Sequence, residues 1–308
     1  MPNLFLPIYR NLEKEVLQLS ENIFFNDDQL NVYSTKIAEL LIQTVVEIES
    51  LSKELYFKNG GHRKYNDDGK EEPVFFDTDC IALLEQRWEL SKKEVLIAAP
   101  NFYFQNSANK ILTPLHKANK RGSSAPDWAR AYQAVKHDRG NNLAKANIKV
   151  LIRALGALYI LNIYNRTEQE IKRETISQDS SFGSQIFTAQ KQIAFFPPSF
   201  LEDVEQYNDK SCICIERVPD HIYKKIIDAT KEDLLKRRNF FQNSPEGKSF
   251  LQEHPELVNS KIDIASIPQF WTSKFLNECM CIGQKSAHLF FTSPKEIVLN
   301  KGQQIYPD

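Results

Sequence analysis

Arg130, Lys136, His137, Asp138 and Arg139 gather an imidazole, three cations and a carboxylate in one short stretch. On an α-helix Arg130 and His137, seven positions apart, project from nearly the same face with Ala134 between them, and Tyr132 lies one turn before Lys136. Such a composition suits phosphate. RNA carries its own nucleophile in the 2′-hydroxyl, so cutting it requires proton transfer, cations for the charge on phosphorus and in-line positioning, and no metal. Histidine suits the proton transfer because its unperturbed pKa is about 6.5. Arginine suits the phosphate because its guanidinium donates two parallel hydrogen bonds. Asp138 can orient a neighbour or offset charge, and Tyr132 and Trp128 can stack on a base or pack in a core. Alone, a Lys-His-Asp-Arg run also describes a solvated helix face, so its meaning depends on the elements around it.

Those elements are helices. In residues 35–57 the apolar side chains of Ile37, Leu40, Leu41, Val45, Ile48, Leu51 and Leu55 recur in steps of three and four, which predicts a long helix. Glu47 interrupts its apolar run, either as an ordinary exposed carboxylate or as one that buttresses a partner helix. The glycines, Asn-Asp-Asp-Gly and proline of residues 59–73 predict a loop, and residues 80–92 a further helix. Residues 101–120 read as irregular structure with a short helix. Ser124 as N-cap, Pro126 in the first turn and Asp127 three residues after Ser124 predict the start of the helix that carries DWARAYQAVKHDR. A pause at Gly140-Asn141-Asn142 precedes a second helix over 143–166, with Ala144, Ile148, Leu151, Leu155, Leu158 and Ile163 as its core face.

DWARAYQAVKHDR, followed by the apolar helix VLIRALGALYILNIY and preceded by IAELLIQTVVEIESLSKELY, resembles the HEPN superfamily of helical bundles over residues 30–170. The family's catalytic signature is an arginine, four to six residues, then a histidine, which Arg130 and His137 match in its longest form; Lys136 or Arg139 is the substitute cation should Arg130 not serve. The resemblance implies a metal-independent endoribonuclease without cofactor, acting on RNA as a homodimer in which two such helices form one site. Many relatives are toxins or act in abortive-infection defence against phage. On this chain it implies His137 as general acid or base and Arg130 at the phosphorane. It further implies Lys136 and Arg139 at neighbouring phosphates, with Glu47 as buttress. The alternative is a HEPN-like module that binds RNA or a protein without cutting.

The expected fold class is therefore mainly α: a HEPN-like bundle over residues 1–174 with an appended, smaller α+β region over 175–308, where a protein partner can bind. Residues 178–184 read as a linker. Strands are expected near 185–189, 212–218 and 296–299, and helices near 221–241 and 270–277. With 39 basic and 40 acidic residues the net charge is -1, which excludes a protein that coats nucleic acid by bulk attraction. No apolar run is long enough to span a membrane, no secretory signal is evident, and five cysteines suit a reducing compartment, so a cytoplasmic address is expected. Cys212/Cys214 and Cys279/Cys281 invite a zinc site, but zinc pairs usually have two intervening residues, and buried thiols are the expectation. Lys236-Arg237-Arg238 offers a further phosphate contact or favours a helix dipole.

Overall fold

The computed structural model describes residues 4–167, 170–171, 180–194, 208–258, 267, 270, 273–303 and 305–306. The architecture is mainly α with a few small sheets. Among the described residues no helix is long and apolar enough to cross a membrane. The chain forms two compact units. The first comprises Met1–Gln192, Asp209–Ile215 and Ile297–Gln303; the second comprises Ile193–Asn208, Glu216–Glu296 and Gln304–Asp308.

In the first unit, α1 (Phe5–Ser20) precedes α2 (Thr35–Lys58). Ser34 caps α2, its hydroxyl accepting from the Ile37 amide, and the predicted stripe from Ile37 to Leu55 is buried throughout. A six-residue π-helical turn, Phe76–Ile81, runs into α3 (Ala82–Trp88). Glu89, in the left-handed region at φ 51°, ends α3, so the helix expected over 80–92 is this π-turn, a short α-helix and a 3₁₀ turn.

The helix that carries the polar cluster is α4 (Asp127–His137). Ser124 does not cap it. Ala125 precedes a proline and is held extended at φ -66°, ψ 160°, so Gly122–Ser124 closes as a separate 3₁₀ turn and α4 begins after Pro126. The far end is also earlier than expected. Asp138 leaves helical geometry (φ -151°, ψ 80°), and its carboxylate caps the single turn α5 (Arg139–Asn142) by accepting from the Asn141 amide at 3.2 Å and side chain at 2.8 Å. Lys136 and His137 thus end one helix and Arg139 begins the next.

The following helix, α6 (Ile148–Tyr164), starts at an Asn147 cap rather than at Leu143, and Ala144 is exposed. Instead of one core face, α6 has every residue buried except Lys149 and Arg153. A helix apolar all round belongs in the middle of a core, and α1, α2 and α4 pack around α6 together with the strand β3 (Phe187–Ala189). β3 and Ile111–Leu112 (β2) flank β1 (Val95–Ile97) in an antiparallel sheet, Val95 opposite both Leu112 and Ala189.

Two charged groups are consumed inside this unit. One oxygen of the buried Glu13 carboxylate accepts from the Tyr9 hydroxyl (2.8 Å), the Ser184 hydroxyl and the Gln185 and Ile186 amides (both 3.1 Å). The Tyr159 hydroxyl donates to the carbonyls of Ser180 and Ser181. Residues 180–184 are therefore pinned rather than a free linker; Gln178 and Asp179 lie outside the described residues. Lys93 is fully buried and donates to the carbonyls of Lys210 (2.9 Å) and Cys212 (3.0 Å).

The second unit is built on α7 (Asp220–Asn243), with α8 (Pro245–Glu253), α9 (Lys274–Cys281) and α10 (Lys285–Thr292) against it. Its core joins Phe241, Phe250, Phe270, Phe275 and Cys279. The helix expected over 270–277 begins at Lys274, residues 271–272 lying outside the described ones. Gly283, at φ 73°, lets the chain pass the Asp233 backbone, where a Cβ would sit 2.8 Å from the Asp233 Cα.

Burial lowers the Lys93 ammonium to a pKa of about 8. Between that value and about 10.4 the unfolded chain keeps a proton that the folded one has released, so this residue makes stability rise with pH in that window. The unfolding free energy of the wild type minus that of Lys93→Met is therefore expected to grow by about 2–3 kcal/mol from pH 8 to pH 10. Denaturant titrations across that range check it, and a pH-independent difference would contradict it.

Candidate functional site

α4 packs against α2 on one side and α6 on the other, and this decides which of its side chains meet water. Trp128, Ala131, Tyr132 and Val135 face inward. Arg130, Gln133 and His137 follow in steps of three and four and form one exposed polar stripe along the helix.

Arg130 and His137 share a side of α4 but not a point. Seven residues of rise separate them by about 10 Å along the helix. Lys136 is exposed, its ammonium 5.3 Å from the centre of the Tyr132 ring. Arg139 is exposed as well, and among the described residues Arg130, Lys136, His137 and Arg139 make no ion pair. The carboxylate between them is not an orienting partner. Asp138 serves as the cap of α5, and the Asn141 side chain and amide together hold it below the usual carboxylate range.

Glu47 does not reach this cluster; burial alone raises its carboxyl. Glu49, two residues on and so about 200° around α2, is the carboxylate that faces α4. Burial raises it, Lys136 works against that rise, and Asp77 adds to it.

Trp128 and Tyr132 are core residues, 1% and 3% exposed, and the Trp128 indole nitrogen donates to the Pro114 carbonyl at 2.8 Å. Neither can offer a free face to a base.

Beside the stripe lies a groove of about 580 Å³, walled by α2, the π-turn, residues 118–125 and the first half of α4. Arg130 and Gln133 line it; His137, one turn past Gln133, does not. The rest of the lining was not foreseen from the sequence. Phe75 is 46% exposed at the rim, and the Arg121 guanidinium lies over its ring at 4.4 Å. Arg121 also donates to Asp77 (2.6 Å) and Thr78 (3.1 Å). Burial opposes ionisation of Asp77, but the Arg121 hydrogen bond outweighs it and holds the carboxyl low. Lys120 is exposed at the same rim. The available signals were the Phe75-Phe76 doublet and Lys120-Arg121-Gly122, which only the fold brings next to Gln133.

Most of the other cationic and thiol candidates have structural places. Lys236 pairs with Glu232 at 2.7 Å, and Arg237 is buried, donating to the Ile282 and Gly283 carbonyls at 2.9 and 2.8 Å. Cys212, Cys214 and Cys279 are buried as expected, whereas Cys281 is exposed. Burial pushes the Cys212 thiol up to about 12, with Asp209 adding to the rise.

Comparison with family models, with curated proteins and with solved structures finds no match for this chain.

Because Trp128 is a buried hydrogen-bonded anchor, Trp128→Phe strands the Pro114 carbonyl and is expected to cost about 1–3 kcal/mol. Thermal or urea unfolding reads this out. An unchanged stability would contradict the anchoring role.

Proposed function

We propose that the first unit is a metal-independent endoribonuclease of HEPN type that works as a homodimer. The observation that carries this reading is the exposed His137 at the end of α4, set among Arg130, Lys136 and Arg139, none of them neutralised by an ion pair among the described residues. A solvated face built for stability would pair such cations with carboxylates, as Lys36 and Lys58 are paired on α2. An unpaired cationic patch around an imidazole instead fits a phosphodiester.

In this reading His137 takes the proton of the RNA 2′-hydroxyl or delivers one to the departing 5′-oxygen. Arg130 carries the charge of the pentacovalent phosphorus, and Lys136 and Arg139 hold flanking phosphates. The bond formed joins the 2′-oxygen to phosphorus, the bond broken is phosphorus to 5′-oxygen, and the ends are a 2′,3′-cyclic phosphate and a 5′-hydroxyl. In the proposed dimer Arg130 of one chain meets His137 of the other, the two lying about 10 Å apart along α4 within each chain. The second unit then recognises RNA, a partner protein or a trigger, in keeping with a toxin or an anti-phage role.

The same separation also favours a second reading, a module of this fold that holds RNA or a protein without cutting. Incubation with total RNA in the presence of chelator distinguishes the two. Wild type is expected to leave cyclic phosphate ends, His137→Ala and Arg130→Ala to lose about 10²–10⁴-fold in rate, and a mixture of those two variants to recover cleavage that neither has alone. Wild type that binds RNA and leaves it intact establishes the module instead.

A further inference from the structure

The groove beside α4 has a composition that the cleavage chemistry does not explain. Its floor is aromatic: Phe76 packs edge-on against Trp128 with ring centres 6.2 Å apart. Its rim combines the half-exposed Phe75 ring with the Arg121 guanidinium stacked on it at 4.4 Å. Single-stranded RNA is read by flat surfaces such as this rim, since every base has a π-face and guanidinium planes stack as readily as aromatic rings. Two cations at the opening, Lys120 and Arg130, make no ion pair among the described residues, whereas Arg121 is already held by Asp77. The groove thus offers stacking surface at its rim and two cations without an ion pair, beside one carboxylate, Glu49, that is likewise unpaired among the described residues.

Its position adds the second argument. Gln133 belongs both to the groove and to the exposed stripe of α4, and His137 follows it by one turn, about 6 Å. A base in the groove therefore has Arg130 and Gln133 beside it, and His137 lies one turn further along α4. Gln133 presents an amide with both donors and acceptors to the base edge or the ribose. A volume of about 580 Å³ is in the range of small-molecule and cofactor sites.

We infer that this groove is a nucleotide subsite of single-stranded RNA, with the base stacked on the Phe75–Arg121 rim and the phosphate held by Lys120 and Arg130. Its role next to the cut rests on the ribonuclease reading; nucleotide binding itself does not. Phe75 and Lys120 determine affinity and base preference and take no part in proton transfer.

The test measures binding of a fluorescent single-stranded RNA oligonucleotide to the full chain, in competition with the four nucleoside 3′-monophosphates and with inorganic phosphate. At least one nucleotide is expected to compete far better than phosphate. Phe75→Ala and Lys120→Ala, both at exposed positions, are each expected to weaken binding about tenfold. Competition by inorganic phosphate as strong as by any nucleotide, or wild-type affinity in both variants, overturns the subsite. Free nucleotides that bind while the oligonucleotide does not show a free-nucleotide site and overturn it too. Wild type that binds as expected but cleaves no RNA removes the ribonuclease reading and leaves the subsite standing.

Discussion

Helix α6 has almost no wet surface, and the first unit is organised by the need to cover it. Two of its residues, Lys149 and Arg153, reach the boundary, and Arg153 is tied to Asp127 at the start of α4. Each fully buried leucine or isoleucine side chain contributes about 1.5–3 kcal/mol relative to exposure. Covering a helix on all sides requires several partners at once, and α1, α2, α4 and β3 take those places. α4 is consequently fixed as a surface element with Trp128, Ala131, Tyr132 and Val135 committed inward. Arg130, Gln133 and His137 are left exposed, without a packing task.

Several polar groups caught by this arrangement are held by segments far along the chain. Glu13 collects its donors from residues 184–186, and Lys93 gives its protons to two carbonyls of residues 210–212. In the second unit Asp233 receives the amide and hydroxyl of Ser286, both at 2.8 Å, and Arg237 closes on the loop at Ile282 and Gly283. A buried charge without partners is costly, so these residues tie distant segments together. Against that background the uncommitted cations at the end of α4 stand apart. They are exposed, where unpaired charge costs little, and remain available for a ligand.

The cluster is also shaped by one backbone break. Asp138 abandons α4 to cap α5, and that single choice moves Arg139 onto a different helical turn from His137. Arg130, His137 and Arg139 therefore form a spread-out surface suited to a chain of phosphates rather than a compact cage suited to one small anion. The groove at the other end of α4 extends this surface with aromatic walls.

Much of the helical framework was legible in sequence. The spacing of Ile37 through Leu55, the Asp127–His137 segment and the apolar run beginning at Ile148 each report a local period, and a helix satisfies its backbone hydrogen bonds within itself. The exposure of His137 beside Lys136 and Arg139 was legible too, from residue type. Three other features depended on partners far along the chain. Whether Glu47 or Glu49 faces α4 is a matter of how α2 is rotated in the core. That α6 is buried all round follows from the number of elements packed on it, not from its own period. The groove joins Glu49, Phe75, Lys120 and Gln133 from four separate segments, and no local pattern encodes that meeting. The sequence by itself determined the helices and the chemical types at the end of α4. Only the tertiary structure decided that Trp128 and Tyr132 are anchors and that Arg130 opens onto a groove, because both are settled by long-range packing.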